Sequence, residues 1–328
     1  NPDSVTTVQG EILAKGGENG GDGGQIETSG ALLDVFGSQV NAGAPKGQRG
    51  QWLLDPYNIT ISEGTQSGVD GSYTATANNA IVNVSTLVFA LNGGTDVTVF
   101  TGSSGSQDGN ITVSSAITTS AGSGNLTLDA AGKIVISENI SLGGDIAIYG
   151  TGAPQNGSVD YWGVYITAPI TASGTITIDG NGGDSGGANN HGVYITSPIA
   201  TSPTVLEGLG GVSITGIGGG GDGSYGILIT DATVRSGAGN LTMTGTSGNG
   251  VGIVMGNTTL GSGTAGEQTG DLILRADSFT FGTSALGQGK LTIEPLTGSD
   301  SFSSAFSTSG LTLGTLGPTL TDLTIGKP

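Results

Sequence analysis

The sequence has no cysteine, one histidine and few aromatic or charged residues. Without Cys there can be no disulfide, no thiolate metal ligand and no cysteine nucleophile. With His191 as the only imidazole, histidine-based metal clusters and Ser-His triads have little to build on. Aromatic residues make up 5% and charged residues 10% of the chain, which does not fit ordinary globular domains. The composition therefore favours a repetitive architecture and leaves few routes to catalysis.

Basic residues are also scarce: 8 Lys and Arg stand against 26 Asp and Glu, a formal charge of −18. Such a chain repels phosphate backbones and anionic lipid surfaces, so we expect no nucleic-acid partner. No apolar run approaches the ~20 residues of a membrane helix, so we expect no membrane insertion. Because Asn1 is not an initiating Met, we interpret the chain as a processed product or an excised segment.

The chain is rich in Gly, with 65 residues, and in short runs that alternate apolar and polar residues. Disorder is the competing interpretation of Gly-rich sequence, but disordered chains lack frequent β-branched runs. The alternation predicts an all-β chain with almost no helix. The predicted strands are 58–62, 96–100, 110–114, 125–129, 133–137, 145–149, 175–179, 212–215, 240–244, 271–275 and 290–293.

Two sequence families alternate in the middle of the chain. The first begins at Gly163, Gly192 and Gly226 and loosely at Gly252, with spacings of 29, 34 and 26 residues. The second lies between these copies. Two strand types within a period of about 30 residues predict a right-handed parallel β-helix with Gly-rich protruding loops. The predicted inward residues are Ile111, Val113, Leu126, Leu128, Val164, Ile166, Ile176 and Ile178.

We expect residues 1–328 to form a single β-helical domain. Its predicted parts are 1–150 as one set of coils, 151–285 as the visible repeats and 286–328 as terminal coils. The segment 77–91 has an apolar spacing that could indicate a helix, but its Val, Ser and Thr content favours strand and turn. The predicted protruding loops are Gly16–Gly24, Gly180–Asn190 and Gly216–Tyr225.

The order of several motifs resembles the filamentous-haemagglutinin-like adhesins, the large secreted exoproteins of two-partner secretion. The resemblance covers roughly residues 10–150 and returns at the end. It implies a secreted, cell-surface protein that crosses the outer membrane with a partner barrel. It also favours strand and turn at 77–91. The motifs are Gly23–Gly30, Gly50–Ile61 (Gly-Gln-Trp-Leu-Leu-Asp-Pro-Tyr-Asn-Ile-Thr-Ile), Ala90–Val99, Gly109–Val113 and Leu323–Pro328.

The densest apolar motif is Trp52, Leu53 and Leu54, followed by Asp55 and Pro56. It could be an aromatic contact for a partner, but we favour an apolar plug that closes one coil against its neighbour. Asp55 and Pro56 then form a turn, because Pro fixes φ and the carboxylate can accept from the backbone. We assign these five residues a structural role.

Three groups of polar residues are weighed as chemical sites. His191 is similar to the histidine of pectinase-like β-helix hydrolases, but the paired acids of such enzymes are missing, so we interpret it as a loop residue. Asp184 and Asp222 lie in single copies of a calcium β-roll pattern and are the only cation candidates; loops are the favoured interpretation. Otherwise no cofactor is expected. Eight Asn-x-Ser/Thr sequons fit chance composition: Asn58, Asn83, Asn110, Asn125, Asn139, Asn156, Asn240 and Asn257.

These observations predict a non-catalytic protein that functions through the length of its repetitive fold and the contacts of its exposed surface. The first hypothesis is the β-helical shaft of a filamentous-haemagglutinin-like adhesin that contacts host cells, other bacteria or matrix. The second is a self-assembling extracellular filament, because an open β-helix end must be capped or paired. A polysaccharide-degrading β-helix enzyme is a distant third.

Overall fold

The structure is a computed structural model, and the residues it describes are 4–64, 79–102, 108–152, 161–184, 187–199, 202–261, 270–286, 289–296, 311–313 and 320–326. The chain divides into two compact units, residues 1–149 (unit 1) and 150–328 (unit 2). The expected single domain stays a prediction, and each unit is described by itself. Parts of the predicted terminal-coil region, 297–310, 314–319 and 327–328, lie outside the described residues.

Unit 1 consists of short parallel strands and one helix, α1 (Val84–Asn92). The helix lies between β8 and β9 in the chain. The strands are β1 (Val5–Thr7), β2 (Gly10–Leu13), β3 (Gln25–Ser29), β4 (Leu32–Asp34), β5 (Ser38–Asn41), β6 (Gln51–Asp55), β7 (Asn58–Ser62), β8 (Asn79–Asn83), β9 (Asp96–Thr101), β10 (Ile111–Val113), β11 (Ile117–Thr118), β12 (Leu126–Ala130), β13 (Ile134–Ile136) and β14 (Ile140–Leu142).

Every named strand of unit 1 pairs with its equivalent from another turn of the chain. The strands β3, β6, β9 and β12 pair in that order. A second series runs through β7, β10 and β13, and all of these pairings are parallel. Short strands joined in parallel at this sequence distance are the successive coils of a β-helix.

The strand β15 (Ile146–Thr151) contains the division between the units, and unit 2 continues with further coils of parallel strands. Its strands are β16 (Val164–Ile166), β17 (Ile170–Ala172), β18 (Thr175–Asn181), β19 (Val193–Ile195), β20 (Thr204–Gly208), β21 (Gly211–Gly218), β22 (Ile227–Ser236), β23 (Leu241–Ser247), β24 (Ile253–Leu260), β25 (Leu272–Arg275), β26 (Phe279–Phe281), β27 (Ser284–Leu286), β28 (Gly289–Glu294), β29 (Leu311–Leu313) and β30 (Leu320–Ile325).

Unit 2 keeps its register from coil to coil up to β28, where the pairing with β30 has a shift between Gly289 and Lys290. One series of strands runs through β18, β21, β23, β25, β28 and β30. A second runs through β16, β19, β22, β24 and β26. The sequence family that begins at Gly163, Gly192, Gly226 and Gly252 forms the series β16, β19, β22 and β24. The interleaved family forms the series β18, β21, β23 and β25. Both repeats found in the sequence are therefore confirmed as the columns of a parallel β-helix.

The core is built from the inward side chains of these strands. All eight predicted inward residues are buried, and the strands alternate buried and half-buried positions as the period of two requires. Each of the eleven predicted strand segments is found, within three residues at its ends. The all-β, β-helical prediction is confirmed.

The segment 77–91 was expected to be strand and turn, which is wrong for its second half. Residues 84–92 form α1, with Val84, Leu87 and Leu91 buried on one face. The Asn83 side chain caps the helix by accepting from the Ser85 backbone N–H at 3.0 Å, and its amide donates to the carbonyl oxygens of Glu63 and Gly64. Cap and apolar face together outweigh the strand propensity of Val and Thr.

Two of the three predicted loops start later than expected. The strand β18 extends through Gly180 and Asn181, and β21 extends through Gly216 to Gly218. These glycines lie in strands because another backbone approaches them closely. A Cβ on Gly180 would lie 2.1 Å from the carbonyl oxygen of Gly192, and one on Gly216 would lie 2.1 Å from that of Gly226. Only Gly16–Gly24 lies wholly outside the named strands.

The close approach recurs along unit 2 as two facing rows of buried glycines, which we call the glycine rows. In the first row, Gly180, Gly216 and Gly245 are in register. Each points at the carbonyl oxygen of a glycine that precedes a strand of the second series. None of these three glycines has a positive φ, so they are needed for close contact rather than for a turn. The second row is Gly192, Gly226 and Gly252.

Sequon asparagines serve the coils as backbone acceptors. Asn58 Oδ1 accepts from the backbone N–H of Asn110 at 2.8 Å, and Asn110 Oδ1 accepts from that of Lys133 at 2.9 Å. Asn125 and Asn240 make the same bond to the next coil. These side chains therefore join neighbouring coils. Asn156 lies outside the described residues, and sugar occupancy stays untested.

Candidate functional site

The loops of unit 2 that follow the first strand series form a groove across four coils. Its volume is about 570 Å³. The backbone holds the loops in a stack: the Gly182 N–H donates to the Ile217 carbonyl, and the Gly219 N–H donates to the Asn190 carbonyl, both at 2.8 Å. The groove is lined by Thr151, Gly152, Asn181, Gly182, Asp184, Gly218, Gly219, Gly220, Gly248 and Asn249.

Asn190 fixes the stack from inside. It is fully buried, and its Oδ1 accepts from the Tyr161 backbone N–H at 3.0 Å. Its amide nitrogen donates to the carbonyl oxygens of Gly187 and Gly220, both at 2.9 Å. A buried amide with these partners ties three successive loops together, so the groove is preformed.

The polar side chains that line the groove are exposed and unused. Across the described residues, the side chains of Thr151, Asn181, Asp184 and Asn249 make no hydrogen bond within the chain. The groove therefore offers two amides, a hydroxyl and a carboxylate to a ligand. No basic residue is among the groove residues.

An aromatic row stands on the same coils, formed by Trp162, Tyr165, Tyr194, His191 and Tyr225. Tyr165 and Tyr194 face outward at matching positions of β16 and β19, and their ring centroids lie 5.1 Å apart. Trp162 packs on Tyr165 at 4.2 Å. His191 stacks on Tyr225 at 5.0 Å and meets Tyr194 edge-on. Five rings in contact are a concentration that the 5% aromatic content does not predict.

His191 lies outside the named strands, as its interpretation as a loop residue requires, but it is buried. Its Nδ1 accepts from the Tyr225 backbone N–H at 3.1 Å. That nitrogen is therefore occupied and cannot act as a base without breaking the loop contact. The imidazole ring is one of the stacked rings of the aromatic row.

The two cation candidates do not share the groove. Asp184 is exposed and lines it, whereas Asp222 is exposed on the loop between β21 and β22 and is not among the lining residues. Within the described part of the chain, no group of three His, Cys, Asp or Glu is arranged to hold a metal ion. The weak calcium assignment stays a prediction without further support.

The predicted structural motif lies in unit 1. Trp52 and Leu54 are fully buried, and Trp52 Nε1 donates to Thr28 Oγ1 at 3.1 Å. Leu53 is half-buried on the outer side, and Pro56 is buried after the strand ends. The positions are those an apolar plug would take, and the structural role of the five residues stays a prediction for mutagenesis.

Two carboxyl groups of unit 1 have a raised pKa. Burial raises the pKa of Asp55, a backbone hydrogen bond from Gly102 opposes the rise, and nearby Glu27 adds to it. Burial alone raises the pKa of Asp129, which lies opposite Phe100 in the strand register. Desolvation by burial is thus the main cause of the raised pKa of both carboxyl groups.

The groove and the aromatic row were not predicted from the sequence. The sequence does contain a signal for the aromatic row, because Tyr165 and Tyr194 occupy the same outward position of a repeated motif. Outward aromatic residues at matching positions of neighbouring coils must contact each other. The side chains of the groove gave no such signal, since Asn and Gly mark turns throughout the chain.

The fold and its repeated registers define a parallel β-solenoid repeat protein. No family model matches the sequence, and no curated protein matches it significantly. Among the described residues, no helix is long and apolar enough to span a bilayer, α1 having nine residues.

Proposed function

We propose that the chain is the non-catalytic β-helical shaft of a secreted, cell-surface adhesin similar to the filamentous haemagglutinins. The observation that carries this proposal is the in-register outer face of unit 2. There, outward side chains repeat from coil to coil and include the aromatic row. Such a face offers extended contact with a surface rather than an enclosed reaction site.

The placement of titratable groups supports a binding role. His191 has its Nδ1 engaged by the backbone, and the acids with a raised pKa, Asp55 and Asp129, lie on strands beside Phe100 in unit 1. Two of the basic residues pair with acids of neighbouring coils: Arg235 with Glu207 at 2.9 Å, and Arg275 with Glu294. These charges fasten adjacent strands together.

The motif order of residues 10–150 extends the proposal to partners and location. An outer-membrane barrel would export the full-length protein, and the shaft would act outside the cell. The surfaces it contacts would belong to host cells, other bacteria or extracellular matrix.

Attachment can be measured with the purified chain on cultured cells, on bacteria and on matrix-coated surfaces. We expect saturable binding that is lost when the chain is heat-unfolded. Absence of saturable binding to all three surfaces would contradict the adhesin proposal. Turnover of polygalacturonate that is lost in His191→Ala would revive the enzyme hypothesis in its place.

A second candidate function, a self-assembling filament, is favoured by one observation. Leu323 and Ile325 of β30 are in register with Leu291 and Ile293, which are buried. Yet Leu323 is 40% and Ile325 is 54% exposed. Electron microscopy over a range of concentrations tests this candidate. Fibres that vanish in a Leu323→Ser/Ile325→Ser variant would support it, whereas discrete particles at every concentration would contradict it.

A further inference from the structure

We propose that the groove of unit 2 binds an uncharged polysaccharide chain laid along the stacking direction of the coils. The aromatic row lies on the same coils but does not line the groove. The inference deepens the proposed attachment role and rests on it, because it names the class of ligand that the outer face would hold.

The groove has the dimensions of an extended ligand site. Its lining comes from four successive coils, represented by Gly152, Asn181, Gly218 and Asn249. Three steps between parallel strands span about 14 Å at the usual spacing of about 4.8 Å. A volume of about 570 Å³ lies within the common range for ligand sites. A chain molecule can follow the groove from coil to coil.

The asparagines of the groove differ from the asparagines that hold the coils together. Asn58, Asn110 and Asn190 all use their side-chain amides to hold neighbouring loops or strands. The side chains of Asn181 and Asn249 have the same chemistry but make no hydrogen bond within the described chain. An amide carries donors and an acceptor side by side, which suits the vicinal hydroxyl groups of a sugar.

The negative charge of the groove and of the whole protein disfavours acidic polysaccharides as ligands. The groove contains one carboxylate, Asp184, and none of its lining residues is basic. The chain as a whole carries a formal charge of −18. An acidic polysaccharide would be repelled at long range and would meet no cation in the groove. A neutral polysaccharide is not repelled and needs no cation in the groove.

The loops that start in the groove end in the aromatic row. The loop after β18 leads to His191, and the loop after β21 leads to Tyr225. Tyr194 and Tyr225 are half-buried, and their hydroxyl groups make no hydrogen bond in the described chain. Ile217, which is in register with Asn181, is 47% exposed. The coils that form the groove therefore also carry exposed apolar surface and free tyrosine hydroxyl groups, which suit the C–H and O–H groups of sugars.

Affinity electrophoresis of the full chain tests the proposal. The gels contain one soluble polysaccharide each: a β-1,4-glucan, an α-glucan, a galactomannan, polygalacturonate as the acidic probe, and chitosan as the cationic probe. We expect retardation by at least one neutral probe, unchanged by added salt. Salt-sensitive retardation by only the charged probes, or retardation by none of the five, would overturn the proposal.

The double variant Asn181→Ala/Asn249→Ala should weaken retardation by the neutral probe at least about tenfold, because it removes two hydrogen-bonding groups. Asn139→Ala is the matched control, since Asn139 is also exposed and its amide is unused, but it lies in unit 1. Tyr194→Ser should weaken binding independently. Unchanged retardation of both the double variant and Tyr194→Ser would overturn the site, provided that circular dichroism shows both folded.

The same variants in the attachment assay separate the two proposals. If the chain binds a neutral polysaccharide through Asn181 and Asn249 but attaches to no surface, the groove proposal stands and the adhesin proposal fails. If it attaches to cells equally well with and without the double substitution and no neutral probe is retained, the adhesin proposal stands and the groove proposal fails.

Discussion

Unit 1 and unit 2 consist of the same kind of β-helical coil, but different residues pack inside them. Unit 1 fills its interior with bulky side chains, Trp52 and the buried face of α1. Unit 2 brings two strand series so close that only glycine fits between them, along the glycine rows. Both units bury an apolar interior, and both hold glycines against a neighbouring backbone; the glycines of unit 2 form continuous rows, whereas unit 1 adds the bulk of Trp52 and α1. This difference shows where each unit should be sensitive to mutation.

The largest effect is expected for Trp52→Ala in unit 1. Removing a fully buried indole leaves a cavity, so we expect a loss of about 3–5 kcal/mol in the free energy of unfolding. Urea denaturation measures this loss, and hydrogen exchange shows whether it stays within unit 1. Leu53→Ala is the control, since Leu53 is half-buried and should cost much less. Equal losses in both variants would refute the plug.

Gly216→Ala tests the close contact in unit 2. The new methyl group would lie 2.1 Å from the Gly226 carbonyl oxygen, and backbone atoms must move to admit it. We expect a loss of about 2–3 kcal/mol, as for overpacked interiors. Gly248→Ala is the matched control, because nothing lies within 4 Å of its added Cβ. If the two variants unfold at the same urea concentration, the glycine rows are not needed for packing.

Asn83→Ala tests how much α1 contributes to the stability of unit 1. The substitution removes the cap of α1 and the two bonds from the Asn83 amide to the carbonyl oxygens of Glu63 and Gly64. The expected loss in unfolding free energy is about 1–2 kcal/mol. Asn139→Ala, whose amide is unused, should stay within about 0.5 kcal/mol. Hydrogen exchange of residues 84–92 should rise in the first variant alone.

The smallest effect concerns pH in unit 1. Burial raises the pKa of Asp129, so its ionised form is less favourable in the folded than in the unfolded chain. Its relative contribution to stability is complete below the ordinary value of 3.8 and is lost as the pH rises through the folded pKa. Asp129→Asn should therefore stabilise the chain at neutral pH by no more than about 0.5 kcal/mol. A gain of the same size at pH 3 would contradict this explanation.

The sequence predicts the strands and columns because a buried position every second residue leaves a direct trace in the order of amino acids. It does not predict α1, since nine residues with Val, Ser and Thr fit either structure until Asn83 is seen as a cap. It also does not predict the glycine rows, because a glycine needed for contact looks the same as one needed for a turn. The groove depends on which asparagines remain unused, and only the packed coils decide that.

Coil length varies in unit 2 while the columns stay aligned. The strands that begin at Val164, Val193, Ile227 and Ile253 are in register although 29, 34 and 26 residues separate them. The additional residues are accommodated between β18 and β19, between β19 and β20 and between β21 and β22 rather than in the paired registers. These segments are thus natural insertion points, where foreign peptides can be grafted and displayed on the surface while the coils beneath keep their packing.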